Sequence, residues 1–188
     1  MGSQTLLDTA QAVELIHAGQ VIAYPTEAVY GLGCDPRNEA AVRNLLALKS
    51  RHESAGLVLI ASGFEQLKGW VADVSEALLD RAMRTWPGPV TWLFPRAAGV
   101  PDFVAGRHDT VAVRITAHVP SRQLCTAFGS ALISTSANPT TAPPARSAAD
   151  VRKYFGSGLA GILAGELGDG KKPSEIRDLA SGDIIRAG

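Results

Sequence analysis

Short apolar patterns of two kinds alternate along this chain, some with the period of a helix and others with that of a strand. Helical spacing is found in residues 6–16, 42–49, 78–82, 120–128 and 147–155. Strand-like runs cover residues 21–24, 57–60, 90–94, 110–115, 131–136, 159–164, 176–179 and 183–186. Because the two kinds are mixed irregularly, we predict an α/β domain with a mixed sheet flanked by helices, rather than a strictly doubly wound fold.

Polar residues at the ends of these patterns indicate where elements begin and end. Asn38, Ser75 and Ser147 are predicted to cap helices. Lys49 falls at the end of the second helix, where a cation suits the helix dipole. The two glycines in residues 26–33 predict a loop between the first strand and that helix.

Candidate chemistry comes from polar residues that alternate with apolar ones. In residues 110–115, Thr110 and Arg114 share the face opposite the valines. In an extended chain Ser134, Ser136 and Asn138 would share one face, and Lys49 and Arg51 another. Hydroxyls, an amide and fixed cations hold phosphate and carboxylate oxygens. The pattern therefore predicts a nucleotide-handling site.

Composition narrows the class of protein. The 188 residues are 46% hydrophobic, which predicts one globular domain over residues 1–188. Eighteen basic residues balance eighteen acidic ones, so any contact with RNA must be a local patch. Two cysteines are too few for a disulfide framework and favour a reducing, cytoplasmic compartment. No apolar run reaches the roughly 18 residues needed to span a bilayer.

Several familiar motifs are almost present but fail. Residues 165–171 match the start of a phosphate-binding P-loop, but Lys172 stands where a hydroxyl is needed and Pro173 disfavours the helix that should follow. Gly31 and Gly33 begin a dinucleotide fingerprint whose third glycine position is Pro36. The four histidines are scattered, which argues against a zinc site, and no serine-hydrolase elbow is present.

Each remaining polar group has an ordinary structural explanation when it is taken alone. Cations after a helix are usually a solvated cap, and Ser and Asn before a proline usually form turns. A solvent-exposed strand face, however, normally carries several charged side chains. The face predicted here has Ser134, Ser136 and Asn138, with Arg114 as an isolated charge. Short polar side chains with sparse cations favour a pocket.

Seven blocks of the sequence, in order, resemble the YrdC-like family, in particular its short bacterial TsaC type, the threonylcarbamoyl-AMP synthases. The blocks are residues 24–33, Lys49-Ser50-Arg51, residues 87–91, residues 110–114, Ser136-Ala137-Asn138, residues 173–178 and residues 184–186. One departure is His52, where the family usually has proline; we expect a solvent-facing loop histidine there. The resemblance ends at residue 188, so we expect no additional C-terminal domain.

The resemblance implies a twisted mixed sheet with a concave, positively charged cavity. It also implies a nucleotidyltransferase that joins L-threonine, bicarbonate or CO₂, and ATP with Mg²⁺ into threonylcarbamoyl-AMP and releases pyrophosphate. Partner proteins would then transfer the threonylcarbamoyl group to the adenosine beside the anticodon of tRNA, and the chain itself could make a weak contact with tRNA.

The resemblance assigns a role to each candidate residue, with no metal held by the protein itself. Lys49 and Arg51 would be the catalytic residues that meet the triphosphate. Nucleotide binding would add Thr110, Ser136, Asn138 and Arg186. Threonine and its carbamate would be held by Thr26, Arg114, Ser134 and Ser174.

Two rival functions remain open. The first is a YrdC-like binding module that grips RNA in its concave face without making an adenylate. The second is a carbamoyl-transfer enzyme, like the related domain of hydrogenase-maturation proteins. That domain occurs beside zinc-finger and acylphosphatase-like segments, and this sequence has neither.

Overall fold

The computed structural model describes residues 6–170 and 172–188. Six α-helices are found in these residues: Thr9–His17 (α1), Glu39–Lys49 (α2), Glu76–Met83 (α3), Asp102–Ala105 (α4), Val119–Phe128 (α5) and Ala148–Phe155 (α6). Ten strands accompany them: Leu6–Leu7 (β1), Ile22–Pro25 (β2), Tyr30–Gly33 (β3), Val58–Ala61 (β4), Val90–Pro95 (β5), Thr110–Ile115 (β6), Leu132–Ser136 (β7), Gly161–Leu163 (β8), Glu175–Asp178 (β9) and Ile184–Arg186 (β10).

The strands form a single mixed sheet, as predicted. Its order is β1-β8-β2-β3-β7-β4-β6-β5-β9-β10. Parallel pairs join β1 and β2 to β8, β4 to β6, and β5 to β9, while the other neighbours are antiparallel. Neighbours such as β7 and β4 are distant in sequence, so residues from far-apart segments meet on one surface.

Alternation along the central strands separates two apolar cores. On β4, Leu59 belongs to the larger core and Ile60 to the smaller one; on β7, Ile133 and Leu132 divide in the same way. Helices α2 and α6 supply residues to the larger core, and α1 and α5 to the smaller one. Helices therefore cover both faces of the sheet. No helix among the described residues is long and apolar enough to cross a membrane.

Two local predictions were wrong at the N-terminal end of the fold. Leu6 and Leu7 form β1 rather than a helix, because the α1 helix begins only after Asp8. The Asp8 side chain accepts from the Gln11 N–H, and the Gln11 side chain accepts from the Asp8 N–H. Residues 30–33 form β3 rather than a loop. A Cβ at Gly33 would lie 2.6 Å from both the Tyr24 ring and the Ile133 carbonyl oxygen, so this glycine marks tight packing of a strand.

The predicted helix caps were mostly confirmed. Asn38 caps α2 by accepting a hydrogen bond from the Ala41 backbone, and Ser147 caps α6 by accepting one from Asp150. Ser75 precedes α3 but makes no capping bond with its side chain. The segment that resembles a P-loop leads into β9 rather than into a helix, as Pro173 predicted, and Lys171 within it lies outside the described residues.

Candidate active site

A cavity of about 400 Å³ lies on the sheet face opposite the larger core. On β6, Val111 and Val113 enter that core while Thr110, Ala112 and Arg114 line the cavity, as the alternation predicted. The volume falls within the range of small-molecule sites. Among the described residues, the charged side chains that line the cavity are four cations and one carboxylate: Arg51, Arg114, Lys172, Arg186 and Glu27.

Eight of the ten predicted site residues line this cavity. They come from the β2–β3 connection, the loop after α2, strands β6, β7 and β10, and the segment before β9. The eight are Thr26, Arg51, Thr110, Arg114, Ser134, Ser136, Ser174 and Arg186. Lys49 and Asn138 are not among the lining residues.

Lys49 lies behind the cavity wall with only 3% of its surface exposed. Its Nζ donates to the carbonyl oxygens of Ser136 and Asn138, the latter at 2.8 Å. In the opposite direction, the Thr140 backbone N–H and hydroxyl both donate to the Lys49 carbonyl, at 3.0 and 2.6 Å. The end of α2 is thus joined to the loop that follows β7.

Two sequence interpretations change as a result. Lys49 and Arg51 do not share the face of an extended segment, because Ser50 between them adopts a left-handed conformation that ends α2. Asn138 does not continue the face of Ser134 and Ser136, because β7 ends at Ser136. The Asn138 amide instead donates to the carbonyls of Pro139 and Ala142, at 3.0 and 2.7 Å.

Burial affects the proton affinity of Lys49. Removal from water lowers the pKa of its ammonium to about 8, and the charge of nearby Arg51 adds to this effect. The buried cation is compensated by carbonyl oxygens rather than by a carboxylate.

Arg51 and Arg186 form one cationic end of the cavity. Arg51 Nη2 donates to the Gly56 carbonyl at 2.9 Å, and its Nε is buried without a hydrogen-bond partner. Arg186 Nη2 donates to the Ser174 carbonyl at 2.7 Å. Burial lowers the pKa of both guanidinium groups, and the charge of Arg186 lowers that of Arg51 further. Two like charges held together in this way favour an anionic ligand.

Arg114 also lines the cavity and is paired with a carboxylate; we call this part of the lining the Arg114–Glu27 end. Its Nη1 is 2.5 Å from Glu27 Oε1, to which the Thr116 hydroxyl also donates at 2.7 Å. Burial raises the pKa of Glu27, but the charge of Arg114 and the hydrogen bonds from Arg114 and Thr116 outweigh it and hold the pKa below its usual value. Arg114 Nε is buried without a hydrogen-bond partner.

Hydroxyl groups complete the lining. The Thr26 hydroxyl donates to the Val29 carbonyl at 2.7 Å, which fixes the turn between β2 and β3. Ser174 Oγ lies 3.1 Å from the Thr91 hydroxyl. Each oxygen keeps an acceptor position for a ligand, since a hydroxyl that donates one hydrogen bond can still accept others.

Sequence reasoning placed Glu27 beside Thr26 but assigned it no role. Its only signal was a carboxylate within residues 24–33, the first block that resembles the family, because its pairing with Arg114 depends on how the β2–β3 turn packs against β6. His52 was interpreted correctly as a solvent-facing loop residue: it is exposed, and its Nδ1 accepts from the Ser54 backbone.

Comparison with known proteins identifies relatives along almost the whole chain. The family model Sua5/YciO/YrdC, described as telomere recombination, matches residues 14–188. A threonylcarbamoyl-AMP synthase of Halorhodospira halophila is 50% identical, with 91% of this chain and 90% of the relative covered. Another, from Pseudomonas syringae pv. syringae, is 52% identical, with 95% and 96% covered.

The fold also matches a solved structure of P. abyssi Sua5 complexed with L-threonine, with a TM-score of 0.86 and 31% identity. That match covers 96% of this chain and 54% of Sua5, so the chain spans about half the length of that relative. The order of the matched blocks, the mixed sheet and the cavity agree with one assignment, and the chain belongs to the Sua5/YciO/YrdC family.

Proposed function

We propose that this chain is an enzyme that makes threonylcarbamoyl-AMP from L-threonine, bicarbonate or CO₂, and ATP, with release of pyrophosphate. Threonylcarbamoyl-AMP synthases about 50% identical over nine tenths of the chain support the activity. The observation that carries the proposal is that residues predicted to bind a nucleotide and residues predicted to bind an amino acid line one cavity.

Two bonds are made in this reaction. The threonine amine adds to the carbon of CO₂ and loses a proton, which gives a carbamate. A carbamate oxygen then attacks the α-phosphorus of ATP, and the bond from that phosphorus to the bridging oxygen of pyrophosphate breaks. Because two anionic groups must approach each other, catalysis depends on positioning and on fixed positive charge.

The two ends of the cavity suit these two tasks. Arg51 and Arg186 would hold the phosphates, because no carboxylate among the described residues is paired with either guanidinium in the ion pairs of the structure. Thr110 and Ser136 would bind the rest of the nucleotide. Arg114, Thr26, Ser134 and Ser174 would hold the threonine and the carbamate.

Magnesium enters this scheme as part of the nucleotide substrate. Among the described residues, no three His, Cys, Asp or Glu side chains are grouped so that they could hold a metal ion. Mg²⁺ is commonly bound through substrate phosphates with one or two protein oxygens. The ion would neutralise charge on the triphosphate, and Arg51 would act on the remaining charge.

The wider role we propose is supply of the activated group for tRNA modification in the cytoplasm. Other proteins would move the threonylcarbamoyl group to the adenosine beside the anticodon. Any contact of this chain with tRNA would be weak and local, because eighteen basic and eighteen acidic residues leave no net charge.

Release of pyrophosphate from the purified chain tests the proposal. With ATP, Mg²⁺, bicarbonate and L-threonine we expect steady release, and omission of threonine should abolish it. Equal turnover without threonine would indicate a plain ATPase. RNA binding without threonine-dependent release would favour the RNA-binding module, and turnover that requires carbamoyl phosphate would favour the carbamoyl-transfer enzyme.

A further inference from the structure

Glu27 has no role in the scheme above, although among the described residues it is the only carboxylate that lines the cavity. Its side chain is 18% exposed, whereas that of its partner Arg114 is 7% exposed. The carboxylate is therefore the more accessible half of the pair. The inference drawn from it rests on the proposed function, because it concerns how the amino-acid substrate is held.

The contacts of Glu27 leave part of its carboxylate available. Arg114 makes its closest approach to Oε1, and the Thr116 hydroxyl donates to the same oxygen. The backbone N–H of Glu27 also donates to the carboxylate, but among the described residues no side chain contacts Oε2 in these interactions. An ionised carboxylate can accept through both oxygens, so Oε2 can bind a second cationic group.

The backbone that carries Glu27 is fixed by the glycine-rich segment, residues 165–170. The N–H groups of Gly168 and Gly170 donate to the carbonyls of Thr26 and Glu27, at 3.0 and 2.8 Å. A Cβ at Gly170 would lie 2.7 Å from the Glu27 carbonyl oxygen, so a larger residue could not pack there. This segment therefore holds the Glu27 backbone in position.

A guanidinium and a carboxylate in contact form a site with the charge pattern of an α-amino acid. The substrate carries its own carboxylate and ammonium on one carbon, so each can meet its opposite without separation of the protein pair. We propose that Glu27 binds the α-ammonium group of the amino-acid substrate while Arg114 binds its carboxylate. Charged hydrogen bonds of this kind are the strong ones in protein sites.

A narrower role would also explain the contact. A buried arginine needs a counter-ion, and Glu27 could serve only to orient Arg114. In that case Glu27 would affect every carboxylate ligand equally. If Glu27 also binds the ammonium, its loss weakens the binding of ligands that carry an amine much more than the binding of ligands that lack one.

A pair of ligands separates these roles. L-Threonine carries the amine, and (R)-3-hydroxybutyrate has the same carboxylate and hydroxyl without it. Calorimetry on the full chain would measure both dissociation constants for the wild type and for Glu27→Gln, which keeps the shape of the side chain and its acceptor oxygen. Glu166→Gln is the matched control, because Glu166 lines a separate pocket beside the same glycine-rich segment.

We expect the wild type and Glu166→Gln to bind threonine at least tenfold more tightly than the hydroxy acid. Glu27→Gln should weaken threonine binding at least tenfold, change the hydroxy acid less than about twofold, and so remove most of the preference. Glu27→Asp, which keeps the charge, should retain a preference for the amine and provides a second comparison if Glu27→Gln unfolds in a thermal melt.

Equal weakening of both ligands by Glu27→Gln would overturn the inference and leave only the orienting role. An unchanged preference in that variant would overturn it as well. Both results leave the proposed function intact, because that function requires threonine binding and threonine-dependent pyrophosphate release by the wild type. A wild type that does not bind threonine would overturn the proposed function together with this inference.

Discussion

The two ends of the cavity hold arginines in opposite electrostatic settings. At the Arg51–Arg186 end two guanidinium groups lie near each other, and burial lowers the pKa of both. At the Arg114–Glu27 end one guanidinium is in contact with a carboxylate 2.5 Å away. The first end holds a charge that a ligand must compensate, and the second is already compensated.

This difference shows how one cavity can distinguish two ligands. A polyanion such as a triphosphate relieves the repulsion between Arg51 and Arg186, and this relief strengthens its binding there. A zwitterion has no net charge and gains little from such an end. A zwitterion should bind better at the Arg114–Glu27 end, which offers one positive and one negative charge.

Substitution of one arginine at each end tests most directly whether the two ends bind different ligands, and it should have the largest effect. Arg51→Ala would remove the charged contact to phosphate that we propose, and contacts of this type contribute roughly 1.5–3 kcal/mol. We expect the affinity for ATP to fall on the order of ten- to a hundredfold while threonine affinity stays within about twofold. Arg114→Ala should instead weaken threonine binding by a similar factor and leave the affinity for ATP within about twofold of the wild-type value. Titration of each variant with each ligand measures the four constants.

The control for these variants is Arg43→Ala. Arg43 lies on α2 near Arg51 in sequence, but it is exposed and pairs with Glu39 and Glu53 at the surface. Neither ligand should be affected, because exposed ion pairs contribute little. Equal losses of both ligands in Arg51→Ala and Arg114→Ala would mean that the two ends do not act separately.

Parts of this site could be predicted from the sequence because they depend on local spacing. The period of two along β6 placed Thr110 and Arg114 on one face, and the same period placed Ser134 and Ser136 on β7. The β3 strand was not predicted, because Gly31 and Gly33 suggest a loop unless the close approach of Tyr24 is known.

Other parts depend on contacts between distant segments, which no local pattern contains. A cation at the end of α2 indicates a helix cap, and only the fold shows that the Lys49 ammonium is enclosed by the carbonyls after β7. The pairing of Glu27 with Arg114 likewise joins the β2–β3 connection to β6, two segments of one sheet that are far apart in sequence. Sequence identified most of the residues, and tertiary structure determined which of them face the cavity.

Removal of the Lys49 ammonium should show whether Lys49 stabilises the structure around the Arg51–Arg186 end or contacts the ligand directly. Lys49→Met leaves the Asn138 carbonyl without its donor, whereas the Ser136 carbonyl still accepts from the Asn138 N–H. One buried unsatisfied group costs about 1–3 kcal/mol. We expect the free energy of unfolding to fall by about that amount, as measured by urea denaturation at pH 7.

Lys68→Met is the control for this change. Lys68 pairs with Glu65 at the surface, where its side chain is 60% exposed, so its loss should alter stability by less than about 0.5 kcal/mol. If Lys49→Met is as stable as the wild type and binds ATP more weakly, then Lys49 reaches the nucleotide directly. That outcome would extend the Arg51–Arg186 end to three cations.

The smallest effect expected is on the pH dependence of stability at the Arg114–Glu27 end. Glu27 has a folded-state pKa below its usual 4.5, so its ionised form stabilises the fold. This contribution is complete above about pH 4.5 and is lost as the pH falls through the lower folded value. The wild type should therefore lose stability in acid relative to Glu27→Gln, whose amide does not titrate.

Urea denaturation of both proteins at pH 7, 4 and 3 measures the difference in unfolding free energy, which should shrink only at the two acidic values. A difference that stays constant over this range would show that Arg114 does not favour the charged form of Glu27, and the contrast between the two ends would then reduce to the Arg51–Arg186 repulsion alone.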